Sequence, residues 1–266
     1  MFTTRLISGI ILVVIAFFIV SAGGGILFIT MGIISLIGLF ELYRVMKIEQ
    51  NPVGMIGYLT TISYYGLLWF HGQQYVTLMA IAALMLFMAL YVFTFPKYKT
   101  EEITLAFFGV FYVAVMLSYL YQVRQMPDGT YLVWLIFISS WGCDTCAYCV
   151  GMLFGRHKLA PLLSPKKSIE GAVGGVVGAA LLGYLYALLL GHKMLDIGNP
   201  QLACAAACAI AAVISQIGDL AASAIKRNHA VKDYGHLIPG HGGILDRFDS
   251  MIFTAPAIFF AVTFLS

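Results

Sequence analysis

Runs of apolar residues, separated by short polar stretches, recur along the whole chain. A run of roughly twenty such residues is what a helix needs to cross the hydrocarbon core of a bilayer. By that measure the pattern predicts nine membrane-spanning helices, at about 6–22, 26–40, 53–70, 76–95, 103–121, 131–150, 170–190, 201–222 and 250–265, the second of them short. No linker, low-complexity tract or long soluble loop interrupts the series, so the expected fold is one all-α polytopic membrane domain over residues 1–266. The first four spans, to about Phe95, carry almost no ionisable residue and read as scaffold over 1–100. From Ser139 onward polar residues enter the spans themselves, so 101–266 is the part expected to carry an active site.

Composition agrees with the pattern. The chain is 61% hydrophobic and only 10% charged, with a mean hydropathy of +0.92, more apolar surface than a water-soluble core of this size hides. Arg5 followed by an apolar stretch ending in Ser21, Ala22 and Gly23 has the form of a secretory signal, but eight further spans do not need a cleaved leader. With nine spans, one side of the membrane receives Arg5; Arg44 and Lys47; Lys97 and Lys99; Arg156, Lys158, Lys166 and Lys167; and Lys226, Arg227, Lys232 and Arg247. The other side keeps only Arg124 and Lys193. The positive-inside rule then places the N-terminus and the basic loops in the cytoplasm, at an inner (cytoplasmic) membrane, and the C-terminus outside. A net charge of +3 gives no reason to expect nucleic acid, and basic loops beside a membrane are accounted for by topology and anionic headgroups.

Gly171, Gly175 and Ala179 repeat every four residues at the start of the seventh span, with Gly174 and Gly178 one face over. Stripes of small residues let helices approach closely in lipid, within one chain or across the seam of a homodimer, and packing within the chain is the favoured use. The eighth span, rich in alanine, reads the same way. Cys143, Cys146 and Cys149 have the look of a metal-ligand run, yet no fourth thiolate is evident, and buried free cysteine packs as a small hydrophobe.

The densest polar run is Ser223–Asp249. Four acids sit where an apolar chain should not carry them: Asp144 in the sixth span, Asp219 near the end of the eighth, and Asp246 with Asp249 at the entrance to the ninth. A carboxylate at bilayer depth costs at least ~2.5–3.5 kcal/mol on insertion scales, so such acids have partners and mark functional sites. Asp219, Ser223 and Lys226 or Arg227 succeed one another at helical spacing. Hard oxygen ligands beside a cluster of cations suit Mg²⁺ with an anionic substrate; the plainer reading is that the acids pair with Lys226, Arg227 and Arg247. Pro239-Gly240-His241-Gly242-Gly243, ahead of the ninth span, is a turn whose N–H groups can converge on an anion, although such turns are more often only turns. Ser164-Pro165-Lys166-Lys167-Ser168 leads into the seventh span; Ser168 is placed to cap it, while Lys166 and Lys167 serve either as phosphate ligands or as a positive-inside anchor.

The run S-A-I-K-R-N-H-A-V-K-D-Y-G-H-L-I-P-G-H-G-G-I-L-D-R-F-D resembles the signature of the phosphatidate cytidylyltransferases, the CDP-diacylglycerol synthases, in its serine, K-R, K-D, H-G-G and D-R-x-D elements. The upstream segments D-T-C-A-Y from Asp144 and S-P-K-K-S-I-E-G from Ser164 are similar too, so the resemblance covers roughly 139–250. Two departures are mild: Cys146 stands where a glycine-like residue is expected, and Ser168 where threonine is common. The resemblance implies transfer of a cytidylyl group from CTP to phosphatidic acid, giving CDP-diacylglycerol and pyrophosphate, in the lipid bilayer. It further implies Asp219, Asp246 and Asp249 around Mg²⁺ with Asp144 as a further ligand or supporting partner, and it allows a second cation such as K⁺. Lys166, Lys167, Lys226 and Arg227 would hold phosphates, Ser223 would orient a ligand or phosphate, and His241, Gly242 and Gly243 would form a backbone cradle. Two other readings compete: a cation transporter using intramembrane carboxylates, for which no internal repeat is found, and a CDP-alcohol phosphotransferase, whose expected D-G-x-x-A-R pattern is missing.

Overall fold

The computed structural model describes residues 2–265, and side chains from Ile7 onward; Arg5 of the charge partition lies outside those described side chains. The apolar runs are helices. Among the described residues nine are long: α1 (Phe2–Ala22), α2 (Gly24–Val45), α3 (Pro52–Trp69), α4 (Val76–Phe93), α5 (Thr100–Gln125), α6 (Gly129–Phe154), α7 (Ile169–Leu190), α8 (Pro200–Asn228) and α9 (Leu245–Leu265). By length and apolarity seven of the described helices are able to cross a bilayer, all but α1 and α3. Of α1 only Ile7–Ala22 lies among the residues with described side chains; α3 is diluted by Thr60, Thr61, Ser63, Tyr64 and Tyr65. The protein is thus a multi-pass, largely α-helical membrane protein. Its polar joints depart from the all-α expectation: β1 (Lys158–Ala160) and β2 (Ser164–Ser168) form an antiparallel hairpin, with Lys158 opposite Ser168 and Ala160 opposite Ser164.

The chain divides into two compact units, each assembled from separated stretches. The first comprises the chain up to Val13, Phe28–Ser118 and Val231–Arg247; the second comprises Val14–Leu27, Tyr119–Ala230 and Phe248 onward. The sequence division near residue 100 does not match these units, since both draw on either side of it.

In the first unit, several buried polar groups of α2 and α3 are paired, although the Thr61 hydroxyl of α3 is buried without a partner among the described residues. Tyr65 Oη lies 2.8 Å from Ser35 Oγ and Tyr64 Oη 2.8 Å from Ser118 Oγ. Tyr43 donates to the Ala106 carbonyl at 2.6 Å. Its ring fills the room left by Gly57 and Gly109, where any Cβ would overlap it. Hydroxyls with partners can be buried at little cost, which is how a weakly apolar helix such as α3 fits an apolar bundle. At the other extreme, only 11% of the apolar window containing α4 is buried, and Leu78, Ile81, Met85 and Val92 point outward, an arrangement suited to lipid rather than water.

The second unit is built on close approach of α7 to α6 and α8. Gly171, Gly175, Ala179 and Gly183 are buried along one stripe of α7. A Cβ on Gly175 would come within 2.9 Å of Cys143 Sγ and 3.0 Å of the Cys143 carbonyl, and one on Gly183 within 2.8 Å of the Cys204 carbonyl. The parallel stripe of Gly174 and Gly178 meets Val150 and Cys146. Both small-residue stripes therefore make packing contacts within the chain. The five cysteines are free thiols: Cys143 and Cys146 pack against Gly175 and Gly178 as the sequence reading expects, Cys204 and Cys208 meet Gly183, and Cys149 is instead exposed.

Overpacking a tight interface costs ~1–3 kcal/mol, whereas an outward position tolerates change. Gly175→Val is expected to lower the midpoint of thermal unfolding in detergent by several degrees, while Val177→Leu, 61% exposed on the same helix, leaves it unchanged. Equal midpoints for the two variants would show that the α6–α7 approach is not a constraint.

Candidate active site

The chemistry-bearing residues of the second unit come from four places: the second half of α6, the hairpin, the first turn of α7 and the last turns of α8. A π-helical turn over Ile138–Gly142 precedes the α6 segment that begins at Cys143. Its extra residue per turn re-aims the side chains beyond it, and a 2.7 Å bond from Ser140 Oγ to Ser250 Oγ of α9 fixes it. Asp144 lies directly after this turn.

The hairpin is fastened at its base by Glu170, which receives the N–H of Arg156 at 3.1 Å and of His157 at 3.2 Å, and meets His157 Nδ1 at 2.6 Å. Ser168 is the N-cap of α7, as expected: its Oγ accepts the Gly171 N–H at 3.1 Å, with extended φ −116° and ψ 155°. That hydroxyl is walled in by Gly151, Gly155 and Gly171, where added Cβ atoms would lie 3.0 Å or less from it. Three glycines thus let α6, the hairpin and α7 converge on one side chain. The other departure, Cys146, is accommodated by Gly178 opposite it.

Between these elements is a cavity of about 530 Å³, inside the roughly 300–1,000 Å³ range of small-molecule sites. Asp144, Lys166, Lys167, Gln216 and Asp219 supply its polar groups, and Tyr148, Met152 and Leu159 an apolar wall. The Lys167 ammonium is paired with Asp219 Oδ2, both side chains about one-quarter exposed. Gln216, which sequence reasoning does not single out, donates from Nε2 to the Ala172 carbonyl at 3.1 Å and lies 3.5 Å from Cys143 Sγ. Its one signal in the sequence is a polar residue one turn before Asp219. Ser223 and Lys226 continue the face of α8 that carries Asp219, and Lys226 and Arg227 occupy its last turn. Cations there meet the negative end of the helix dipole.

Val231–Arg247 of the polar run lies in the first unit. Ile238-Pro239-Gly240-His241 is a tight turn, with proline second and Gly240 at φ +78° third, closed by the His241 N–H on the Ile238 carbonyl at 3.0 Å. Gly242 also needs positive φ, at +87°. Of the N–H groups of the expected backbone cradle, that of His241 is used within the turn and that of Gly243 by a carboxylate. Asp246 Oδ2 receives Gly243 N–H at 3.0 Å and Tyr234 N–H at 2.8 Å. Glu41 of α2 receives Ile244 N–H at 3.1 Å and Leu245 N–H at 2.8 Å. His241 Nδ1 lies 2.9 Å from Ser8 Oγ, which also donates to the Pro239 carbonyl at 3.2 Å.

Glu41 and Ser8 correct the reading of the first spans as bare scaffold. The apolar pattern ends the second span near residue 40, which would leave Glu41 in a loop; α2 instead continues to Val45 and keeps the carboxylate buried.

Of the four aspartates, Asp144 and Asp219 share the cavity, Asp249 Oδ1 accepts its neighbouring Ser250 N–H at 2.8 Å, and Asp246 belongs to the turn just described. Among the described residues no three His, Cys, Asp or Glu side chains are grouped closely enough to hold a metal. Two carboxylates in one cavity, with the Lys167 ammonium seated where a cation is attracted, nevertheless fit Mg²⁺, which typically takes one or two protein carboxylates and completes its shell with water and substrate phosphates.

A model of the cytidylyltransferase family matches residues 3–265. Curated relatives named phosphatidate cytidylyltransferase are similar over nearly their whole length: one from Bacillus subtilis is 31% identical over 98% of each chain, one from Staphylococcus aureus 32% identical over 96% of each, and one from Staphylococcus saprophyticus 29% identical over 96% of each. A cation transporter finds no support in these matches. The likeness extends through α1 to α5, well beyond the signature, so the chain as a whole belongs to the cytidylyltransferase family.

Proposed function

We propose that this protein transfers the cytidylyl group of CTP to phosphatidic acid, releasing pyrophosphate and leaving CDP-diacylglycerol in the membrane. The observation that carries this reading is one cavity that places Lys166, Lys167, Asp144 and Asp219 beside the apolar wall of Tyr148, Met152 and Leu159, in a chain whose relatives bear the name of that activity. A charged floor suits phosphates and an apolar wall suits a lipid or a base. All nine long helices are taken as spans, which puts the basic loops and the cavity at the cytoplasmic face of the inner membrane, where CTP is, and the C-terminus outside.

The reaction is an in-line displacement. An oxygen of the phosphatidate phosphate attacks the α-phosphorus of CTP, a new P–O–P linkage forms, and the bond from the α-phosphorus to the bridging oxygen breaks with its electrons on pyrophosphate. The nucleophile is already an anion, so no strong general base is required. What the protein must do is hold two polyanions together and offset their repulsion with fixed cations. Lys167, paired with Asp219, is available to exchange that carboxylate for a phosphate once another cation reaches Asp219. Lys166 on the hairpin, with Lys226, Arg227 and Ser223 at the end of α8, provides further phosphate contacts. The loop of His241, Gly242 and Gly243, whose His241 and Gly243 N–H groups bond within the protein, shapes the backbone ahead of α9. Mg²⁺, assigned to Asp144 and Asp219 by the cavity and to Asp246 and Asp249 by the family resemblance, would neutralise charge on the α-phosphate and the departing pyrophosphate.

Purified protein given labelled CTP, phosphatidate and Mg²⁺ should yield pyrophosphate and CDP-lipid in equal amounts; the absence of both would overturn the reading. Losing a preorganised charge stabiliser costs on the order of 10²–10³ in rate, so Lys167→Met and Asp219→Asn are each expected to lower kcat/KM at least a hundredfold. Near-normal kinetics in either variant would remove that residue from the site. Ser168→Ala should cost about 1 kcal/mol through the lost cap, read as a lower unfolding midpoint; an unchanged midpoint would show that the cap is dispensable.

A further inference from the structure

Glu41 is a carboxylate only 3% exposed, on a helix otherwise apolar up to its last turn, and nothing in the mechanism uses it. Its two oxygens accept different N–H groups, Oε1 from Ile244 and Oε2 from Leu245. These donors lie at the start of α9, where N–H groups lack partners within the helix. The next carboxylate along, Asp246, takes the Gly243 and Tyr234 N–H groups at a single oxygen. Arg44, one turn after Glu41, donates to the Tyr234 carbonyl at 3.0 Å. Both faces of the Tyr234 peptide region are thereby tied, one to α2 and one to Asp246.

Two glycines are shaped to the same carboxylate. Added Cβ atoms at Gly235 and Gly243 would run into Glu41. Neither residue has the positive φ that would itself call for glycine, so occupation of that space by Glu41 is what excludes a side chain there. Glu41 is fitted to this loop on both sides, by hydrogen bonds and by shape.

We infer that Glu41 is a positioning residue for Asp246: by holding the Ile244 and Leu245 N–H groups and filling the space beside Gly235 and Gly243, it sets the orientation in which Asp246 meets the cation. The inference rests on the proposed role of Asp246 toward the metal. Glutamine is a poor substitute, because its amide presents N–H groups to one of the two backbone donors.

The test uses the full-length protein in detergent, titrated with Mn²⁺ and followed by electron paramagnetic resonance, beside the Mg²⁺ concentration giving half-maximal CDP-lipid formation. Glu41→Gln and Asp246→Asn should each weaken Mn²⁺ at least fivefold, and the double variant should be no more than twofold weaker than Asp246→Asn alone, the non-additivity of residues acting as one unit. Gly243→Ala probes the same contact with Glu41 retained: it should weaken Mn²⁺ similarly. The inference is overturned if Glu41→Gln or Gly243→Ala lowers the unfolding midpoint yet binds Mn²⁺ as wild type does, or if the effects of Glu41→Gln and Asp246→Asn multiply. Failure of wild type to make CDP-lipid would instead overturn the proposed function, and the Mn²⁺ comparison would still read the coupling between Glu41 and Asp246.

Discussion

A carboxylate inside an apolar helical membrane protein has to be answered by donors or cations, and much of this structure reflects how that demand is met. Left alone, such a group costs several kcal/mol. Asp219 is answered by Lys167, Glu41 and Asp246 by backbone N–H groups at the start of α9, and Glu170 by the N–H groups at the base of the hairpin. The answers differ in what they allow. A carboxylate bound to backbone is fixed, whereas one paired with a lysine on a hairpin can exchange partners when a phosphate and a second cation arrive.

The same demand explains the placement of irregular backbone. Hairpin, turn and π-helical segment all lie beside the polar clusters, where their main-chain groups find partners, and each is held by a side chain from a regular helix. Glu170 holds the hairpin from α7, Ser250 holds the π turn of α6 from α9, and Glu41 holds the 240–245 turn from α2. Glycine is used where these anchors need room. Gly151, Gly155 and Gly171 surround the Ser168 hydroxyl, and Gly235 and Gly243 surround the Glu41 carboxylate. Replacing any of them alters the anchor rather than the turn.

Family membership gives these arrangements a purpose. A transferase that joins a nucleotide to a lipid phosphate must keep strong charge at membrane level. Placing Lys166 and Lys167 on a short hairpin, and Asp144 and Asp219 on helices packed through glycine and alanine, puts the two partners of the Lys167–Asp219 pair on different elements. The close helix approach in the second unit makes the carboxylate side rigid, and rigidity is what electrostatic preorganisation requires.

The sequence by itself determined the helices, because apolar runs of bilayer length allow little else, and it singled out the candidate aspartates and lysines, because they stand out against a chain that is 61% hydrophobic. Ser168 as a cap and the glycine stripes as packing surfaces were legible for the same reason: both depend on spacing within one helix. Only the tertiary structure decided what each polar group meets. That the N–H groups after Gly242 face carboxylates, that Lys167 sits on Asp219, and that Glu41 and Ser8 reach residues more than two hundred positions away are pairings across the chain. Periodicity records which face of a helix is apolar but not which distant donor a buried acid will find, and in a structure built from buried acids that is the information the site depends on.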